Sequence, residues 1–336
     1  MATIKMVAKK ANVSIMTVSR VLNNPESVME KTRKRVLCAI EELNYQPNEA
    51  ARIMKGKRAN ILGVLIPDFD NHFYTKLLKL IEEIITPLGY RLLIASNAAG
   101  SSQIENLKYL LSRNVDAIVI SSYSEIKDAS QYILQNNIPV PTVIIDKLEN
   151  SVAVNSIYND GFRGIQKIVE HLISLGHTKI AMIKGAADYQ IANDRFYGYL
   201  ETLADHGIPA NPAYIWEGNY TIESGSAAAE HFISLPDPPT AIVASSDYLA
   251  IGAINALHRN GYRVPDDISV TGYDGIDMGE FLIPQLTTIK LPIRDIAQKT
   301  VDILIRQLGD QKGEPITVVF DGDLVVRDST GACCRK

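Results

Sequence analysis

The fold of the N-terminal part of the chain is set by one short stretch, VSIMTVSRVLN at residues 13–23. Ser14 stands where a helix N-cap is expected, because its hydroxyl can accept a hydrogen bond from the first turn. The helix predicted to run from there to Asn23 has one apolar side, formed by Val18, Val21 and Leu22. Its first turn and open side carry a different set of side chains: Ile15, Met16, Thr17, Ser19 and Arg20.

A further helix is predicted on each side of this one. Before it, Asn12 begins a turn, and helical spacing is shown by Ile4, Val7, Ala8 and Ala11. After it, a third helix is expected from about residue 30 to 43, with its inward side formed by Val36, Ile40 and Leu43. Two short helices joined by a tight turn, with a third packed across them, form the helix-turn-helix arrangement.

Charge separates this N-terminal region from the remainder of the chain. Residues 1–58 hold 12 lysines and arginines against five acidic residues, a net charge of +7, whereas the remaining residues carry −11. A small basic region on an acidic body suggests that only the basic region meets a polyanion. A solvated, lysine-rich helix would give the same charge, so the pattern of exposed side chains has to decide.

The side chains on the open side of the second helix suit DNA. Arg20 can donate to O6 and N7 of a guanine, a contact worth ~1–3 kcal/mol of discrimination between bases. Ile15 and Met16 can contact thymine methyl groups. Thr17, Ser19 and Asn23 are short polar side chains suited to phosphates. Together with the basic charge, they favour a DNA-binding function over an ordinary protein surface.

The next segment predicts a hinge. Residues 48–56 read NEAARIMKG, which combines an N-cap, a short helical stretch and a C-terminal glycine. Isolated helices shorter than ~12–15 residues are marginal in water. A hinge helix that forms only on DNA is therefore predicted.

From residue 61 onward, β-rich apolar runs alternate with amphipathic helical patterns such as 73–88 and 160–175. Eight runs are expected to be strands: residues 61–68, 90–97, 116–122, 141–147, 179–185, 214–218, 240–247 and 268–274. Near-continuous apolar strands with intervening helices predict parallel α/β sheets. Eight strand–helix units are more than one open sheet comfortably holds, and residues 151–157 interrupt the alternation of strands and helices. Two lobes with a cleft between them are therefore expected.

Polar and aromatic side chains cluster where these strands end, which is where ligands bind to open α/β sheets. The first lobe offers Asn71, Phe73, Tyr74, Ser121, Ser122 and Asp146; the second offers Asn193, Asp194, Arg195, Asn219, Tyr220, Ser246, Asp247, Tyr273 and Asp274. Carboxylates, a guanidinium and aromatic faces together suit a polyol. For any single residue, capping of a helix is the alternative explanation.

The head and hinge resemble those of the LacI/GalR family of bacterial transcription regulators. The resemblance is carried by residues 13–23, by LNYQPN at residues 43–48 and by Ala51-Arg52. It implies recognition-helix contacts from Ile15, Met16 and Arg20. It implies phosphate contacts from Thr3, Ser14, Thr17, Ser19, Asn23 and Tyr45, and minor-groove insertion by a hinge that contains Asn48, Ala51 and Met54.

Three positions of the head and hinge depart from the family pattern, and none of them removes a base-reading group. Met54 replaces the leucine that usually inserts between two stacked base pairs in the minor groove. Methionine is also apolar and can separate a base step in the same way. Met6 replaces an acidic residue common in the first helix. Met29 replaces the serine that usually caps the third helix, which should cost ~1 kcal/mol.

Residues 61–330 resemble the effector domain of the same family, which is similar to periplasmic sugar-binding proteins. The resemblance implies that the effector cleft is lined by Asn71, Phe73, Tyr74, Ser121, Asp146, Arg195, Tyr220, Ser246 and Asp274. Residues 273–289 most resemble ribose-type repressors. However, Ser246 and Leu291 stand where the family often has Asn and Gln, so the choice among pentoses and hexoses stays open.

The predicted architecture is α/β and has three parts. They are an all-α helix-turn-helix head (1–47), a hinge helix and linker (48–60), and a two-lobed, doubly wound parallel α/β effector-binding and dimerisation domain (61–336). The N-subdomain is expected at about 61–158 and 291–320, and the C-subdomain at about 159–290 and 321–336. A homodimer is expected, because one head contacts too few bases and a pseudo-palindromic operator matches a two-fold axis.

Other classes of protein are disfavoured by what the sequence lacks. No apolar run approaches the ~18–20 residues that span a bilayer, and no signal peptide is visible, so a cytoplasmic protein is expected. The six histidines and three cysteines show no metal-ligand spacing, and neither a phosphate loop nor a nucleophile elbow is present. No cofactor, metal or catalytic residue is predicted.

The sequence therefore predicts a non-enzymatic repressor of carbohydrate-utilisation genes, which binds double-stranded operator DNA and a small sugar or sugar derivative. Three alternatives remain: a free sugar-binding protein, a sugar-responsive activator and a sugar-processing enzyme with a DNA-binding head.

Overall fold

The computed structural model describes residues 2–45, 58–97, 102–121, 126–136, 138–148, 153–186, 189–309 and 313–333. The chain forms two compact units, Met1–Ala59 and Asn60–Lys336. No helix among the described residues is both long and apolar enough to cross a membrane.

The described residues of the first unit form three α-helices, α1 (Ile4–Lys10), α2 (Ile15–Asn23) and α3 (Glu30–Glu42). Asn12, with φ of +49°, turns the chain between α1 and α2 in the left-handed region, which asparagine adopts more readily than most residues. Each helix contributes a fully buried valine to the core: Val7, Val18 and Val36. The predicted helix-turn-helix arrangement is confirmed.

The ends of these helices follow the capping rules. The Thr3 side chain accepts from the Met6 N–H at 3.4 Å, and the Ser14 side chain accepts from the Thr17 N–H at 3.1 Å. Met29, at the start of α3, makes no capping side-chain hydrogen bond. Of the side chains expected to face inward, three are half-buried at the edge of the core and not fully buried: Leu22, Ile40 and Leu43.

The second unit contains twelve strands among its described residues. They are β1 (Ile61–Ile66), β2 (Arg91–Ser96), β3 (Ala117–Ile120), β4 (Thr142–Ile144), β5 (Asn155–Asn159), β6 (Ile180–Lys184), β7 (Ile215–Glu217), β8 (Ala241–Ala244), β9 (Ser269–Asp274), β10 (Thr287–Lys290), β11 (Thr317–Phe320) and β12 (Asp323–Val325). They form two six-stranded sheets with the orders β11-β5-β4-β3-β1-β2 and β12-β10-β9-β8-β6-β7. The pairs are parallel except for β10 with β12.

Helices connect most of the parallel strands. They are α4 (His72–Ile85), α5 (Gln103–Ser112), α6 (Ile126–Gln135), α7 (Gly161–Ser174), α8 (Gln190–Asp205), α9 (Ile222–Ser234), α10 (Asp247–Arg259) and α11 (Ile293–Leu308). The strands β1, β3 and β8 consist mainly of buried apolar residues, as expected for sheets that are covered on both faces. The predicted fold class, an all-α head followed in the chain by a two-lobed, doubly wound parallel α/β domain, is confirmed.

Four strands were not expected from the sequence: β5, β10, β11 and β12. Residues 151–157 were expected to interrupt the sheet, yet β5 begins at Asn155 and pairs with both β4 and β11. The reason is that its first two residues, Asn155 and Ser156, are polar but buried and hydrogen-bonded. Asn155 Nδ2 donates to the Thr142 carbonyl at 3.1 Å, and Asn155 Oδ1 accepts from the Ile316 N–H at 3.2 Å. An apolar pattern does not detect such a strand.

Candidate functional site

The open side of α2 carries the side chains predicted to contact bases. Ile15 is 44% exposed, Met16 is 66% exposed, and Arg20 is also exposed. Arg20 Nη2 lies 3.9 Å from Met16 Sδ, so these two residues, one helical turn apart, share a face. The helix therefore presents apolar side chains beside a guanidinium, the groups that can contact a thymine methyl and a guanine edge.

The polar residues predicted to contact phosphates lie on α2 and its N-cap, at the start of α1 and just after α3. Ser14 Oγ and Thr17 Oγ1 are 2.9 Å apart at the start of α2, and Asn23 Nδ2 donates to the Ser19 carbonyl at 2.7 Å near its end. Thr3 is exposed at the start of α1, and Tyr45 is half-buried against the core of the head. Three predicted contacts of the hinge lie outside the described residues: Asn48, Ala51 and Met54.

The second unit contains a cavity, partly open to solvent, at the carboxyl ends of strands from both sheets. Eight of the nine residues predicted for the effector cleft line it: Asn71, Phe73, Tyr74, Ser121, Asp146, Arg195, Tyr220 and Asp274. The ninth, Ser246, does not. It is almost fully buried as the N-cap of α10, where its Oγ accepts from the Leu249 N–H at 3.3 Å. Capping, the alternative noted for every strand-end polar residue, explains its position.

Arg195 is the central cation of the cavity and is 4% exposed. Its Nη1 donates to the Ser245 carbonyl at 2.5 Å, and its Nη2 lies 3.5 Å from Asp274 Oδ1. The guanidinium also lies over the ring of Tyr273, 3.7 Å from the ring centroid. Burial raises the pKa of Asp274, and the nearby Arg195 opposes that rise. These contacts hold the buried guanidinium in one orientation, so that a ligand meets a positive charge and N–H donors at a fixed place.

A second group of charges surrounds Asp146, which is 8% exposed. The Lys147 N–H donates to Asp146 Oδ1 at 2.6 Å. Burial raises the pKa of Asp146 to about 7, although that hydrogen bond opposes the shift. The Lys147 side chain turns to Asp194 on α8, with Nζ 2.6 Å from Asp194 Oδ2. This ion pair therefore links the end of the first sheet to a helix of the second lobe.

Aromatic rings supply the apolar part of the cavity. The Phe73 and Tyr74 rings meet edge to face, with centroids 5.2 Å apart, at the start of α4. The ring of Tyr220 stacks on Tyr189, with centroids 6.2 Å apart. Gly185 gives it room, because a Cβ there would lie 2.2 Å from the Tyr220 ring. Such faces can cover the C–H surface of a sugar ring.

Asn159 adds a hydrogen-bond acceptor at the end of β5. Its Nδ2 donates to the Tyr273 hydroxyl at 2.9 Å, which fixes the orientation of the amide. Its Oδ1 is buried and accepts no hydrogen bond from any residue that the structure describes. Because buried polar atoms are normally satisfied, this oxygen is suited to a donor on a ligand.

The cavity also includes residues that the predicted cleft set did not contain: Ile145, Lys147, Tyr158, Asn159, Ile191, Asp194, Leu291 and Ile296. Asp194 is already among the strand-end polar residues named from the sequence, and Lys147 directly follows the predicted Asp146. Tyr158 and Asn159 were missed because their strand, β5, was not recognised. The isoleucines resemble ordinary core residues, so no pattern marks them, whereas Leu291 stands at the position where the family resemblance leads one to expect Gln.

Comparisons with known proteins give a consistent result over nearly all of the chain. Residues 3–48 match the family described as bacterial regulatory proteins, lacI family, and residues 169–330 match a periplasmic binding protein-like domain. The probable HTH-type transcriptional repressor ExuR of Bacillus subtilis is 34% identical over 98% of this chain and 98% of its own length. The HTH-type transcriptional repressor CytR of Escherichia coli is 33% identical, covering 98% of this chain and 97% of its own length.

Solved structures agree. The lac repressor dimer bound to operator and the anti-inducer ONPF matches with a TM-score of 0.88 and 31% identity, covering 98% of this chain and 99% of that chain. The transcriptional regulator CelR in complex with cellobiose matches with a TM-score of 0.73 and 28% identity, covering 98% of this chain and 100% of that chain. The chain therefore belongs to the lacI family of bacterial regulatory proteins, and it is a transcriptional regulator with a helix-turn-helix head and a binding-protein-like body.

Proposed function

We propose that this protein represses transcription as a homodimer on a pseudo-palindromic operator and that a small, uncharged sugar in the cavity controls its affinity for DNA. The observation that carries the proposal is the presence on one chain of an exposed base-reading face on α2 and a polar, aromatic-lined cavity. The curated relatives named above are repressors, which supports a regulator over an enzyme. Since its target is the chromosome, the cytoplasm is its place of action.

The charges of the cavity favour an uncharged ligand. Among the described lining residues, the two cations are each already next to a carboxylate: Lys147 at Asp194 and Arg195 at Asp274. Asp146 forms no ion pair with any described residue. A sugar acid or sugar phosphate would therefore bring its negative charge toward Asp146, and both cations of the lining are already paired with other carboxylates.

Hydroxyl groups fit the same cavity better. Asp146 and Asn159 Oδ1 can accept hydrogen bonds from hydroxyls, and the rings of Phe73, Tyr74 and Tyr220 can cover the apolar face of a pentose or hexose. The occupant that we propose is accordingly a neutral monosaccharide, with a ribose-like sugar the first to be tested.

A homodimer is supported by exposed apolar side chains in the segment between β9 and β10. Phe281 is 83% exposed, Ile283 is 90% exposed and Met278 is 55% exposed. Large exposed apolar groups close together in the chain indicate an interaction surface. We assign it to a second copy of the chain, because two heads are needed to read a two-fold operator. Phe281→Asp should then shift the sedimentation of the protein from dimer toward monomer, and an unchanged dimer would remove this surface from the proposal.

The function is tested by two measurements on the full chain. Selection from a random DNA library should enrich a pseudo-palindrome, and Arg20→Ala should relax the preference at one base pair of each half-site while keeping the body folded. A thermal-shift screen should show stabilisation by a neutral pentose or hexose, about 2.7 kcal/mol at 100 times its dissociation constant. A gel shift on the selected DNA with that sugar then gives the direction of control, with a typical coupling of ~1–3 kcal/mol.

Each result has a contrary outcome. Enrichment of no DNA sequence would refute the repressor proposal. Stabilisation by sugar acids or sugar phosphates alone would refute the uncharged ligand, and turnover of a sugar by the purified chain would favour an enzyme.

A further inference from the structure

Asp247 is a fully buried carboxylate outside the cavity. It is the first residue of α10, directly after the N-cap Ser246. Its Oδ1 accepts from the Thr288 hydroxyl at 2.6 Å, and its Oδ2 accepts from the Ile276 N–H at 2.7 Å. The side chain therefore ties the start of α10 both to β10 and to the backbone that follows β9.

The backbone held in this way has an unusual conformation. Asp274, the last residue of β9, has φ of +113°, and Gly275 has φ of +70°. A residue with a side chain keeps a positive φ only where its surroundings enforce it. Gly275 also runs close to β10, since a Cβ there would lie 2.6 Å from Lys290 Cα.

Gly272 in β9 provides the room for the Asp247 carboxylate. A Cβ on Gly272 would lie 2.2 Å from Asp247 Oδ1, so the glycine leaves space that Asp247 fills. Burial and the nearby charge of Asp274 both raise the pKa of Asp247. Burying a charged carboxyl group is costly, so Asp247 is stable in this place only because its hydrogen bonds offset part of that cost.

We propose that Asp247 is a positioning residue of the effector cavity, which keeps Asp274 in the conformation that faces Arg195 by holding the backbone of Ile276 and the hydroxyl of Thr288. Asp274 lines the cavity and Asp247 does not. The inference rests on the proposed function of the cavity as the effector site.

The first experiment does not depend on any ligand. Crystal structures of the ligand-free full chain are compared for the wild type, Asp247→Ala, Asp247→Asn and a control, Ser329→Ala. Ser329 is also fully buried in the second lobe and makes two hydrogen bonds to backbone, at 2.6 Å to the Val270 carbonyl and 2.9 Å from the Thr287 N–H. Ser329→Ala therefore removes two buried hydrogen bonds, as Asp247→Ala does, but neither of them involves residues 274–276.

The inference predicts that Asp247→Ala alone changes Asp274 to a negative φ and separates it from Arg195. Asparagine can accept from the Ile276 N–H with its oxygen and donate to the Thr288 hydroxyl with its amide, so Asp247→Asn should keep the wild-type turn. An unchanged φ in Asp247→Ala, or the same change in Ser329→Ala, would overturn the proposal.

The second experiment measures affinity for D-ribose by calorimetry. Asp247→Ala should bind D-ribose at least about tenfold more weakly, whereas Asp247→Asn and Ser329→Ala should stay within about threefold of the wild type. Operator affinity without sugar should be unchanged in all of them. If the wild type does not bind D-ribose, the ribose part of the proposed function fails, and the crystal structures alone decide the role of Asp247.

A milder variant keeps the test decisive if Asp247→Ala does not fold. Thr288→Val removes one of the two contacts of the carboxylate with little change of shape, and Thr288→Ser restores the hydroxyl. The positioning role predicts a changed turn in the valine variant and its recovery in the serine variant. Identical turns in both would overturn it.

Discussion

The ionisation of Asp146 makes a prediction about stability that can be worked through in numbers. Burial raises the pKa of this carboxyl from 3.8 to about 7. Between those two values the folded chain holds a proton that the unfolded chain has released, so the free energy of unfolding falls as the pH rises. The slope is ~1.4 kcal/mol per pH unit, and over about three units the loss amounts to ~4 kcal/mol.

Asp146→Asn should abolish that loss. The asparagine oxygen can still accept from the Lys147 N–H, and the amide has no proton to release in this range. The difference in unfolding free energy between variant and wild type should therefore grow from near zero at about pH 4 to ~4 kcal/mol at about pH 8. The same change should weaken sugar binding, since an amide is a poorer acceptor than a carboxylate.

The assay is urea unfolding at several pH values, followed by the fluorescence of Trp216. This residue is the only tryptophan of the chain and lies in β7 of the second unit, so it reports on the body. Asp128→Asn, at an exposed position on α6, controls for the loss of one negative charge. A difference between Asp146→Asn and wild type that does not vary with pH would refute the reasoning.

Three further predictions concern the head and the cavity. Met29→Ser should supply the missing cap of α3 and raise the unfolding free energy of the head by ~1 kcal/mol, whereas Met29→Ala should not, as calorimetry of the full chain can show. Gly164→Ala would place a Cβ 2.5 Å from the Tyr273 hydroxyl and 2.7 Å from its ring. It should cost ~1–3 kcal/mol of stability and weaken binding of the sugar found in the screen. In Gly279→Ala the nearest atom would lie 3.5 Å away, so calorimetry should show little change. Arg20→Ala should relax the preference at one base pair of each half-site in a library selection, and a uniform loss over all sequences would instead indicate a phosphate contact.

Local physical chemistry made the head predictable from its sequence. A hydroxyl cap at Ser14 and apolar residues at helical spacing act within a few residues of one another, and α2 begins and ends where they indicate. The buried strands of the body were equally visible, because a run such as that in β3 has apolar residues throughout. Strand-end positions pointed to nine of the residues that line the cavity, since parallel strands bring their carboxyl ends to one edge.

Contacts between distant parts of the chain decided the rest. β5 is a strand because Asn155 accepts a hydrogen bond from the Ile316 N–H, 161 residues away. The polar sequence of β5, taken alone, indicates a loop. Asn159 reaches the cavity only because this strand exists. Ser246 and Asp247 are adjacent in sequence and looked equivalent. The serine caps its own helix, whereas the aspartate bonds to Thr288, 41 residues on. The sequence by itself therefore determined the helices, the buried strands and the class of protein, because these depend on neighbours along the chain. Only the tertiary structure decided which buried polar side chains face the ligand and which hold the cavity in shape, because those roles depend on partners that folding brings together.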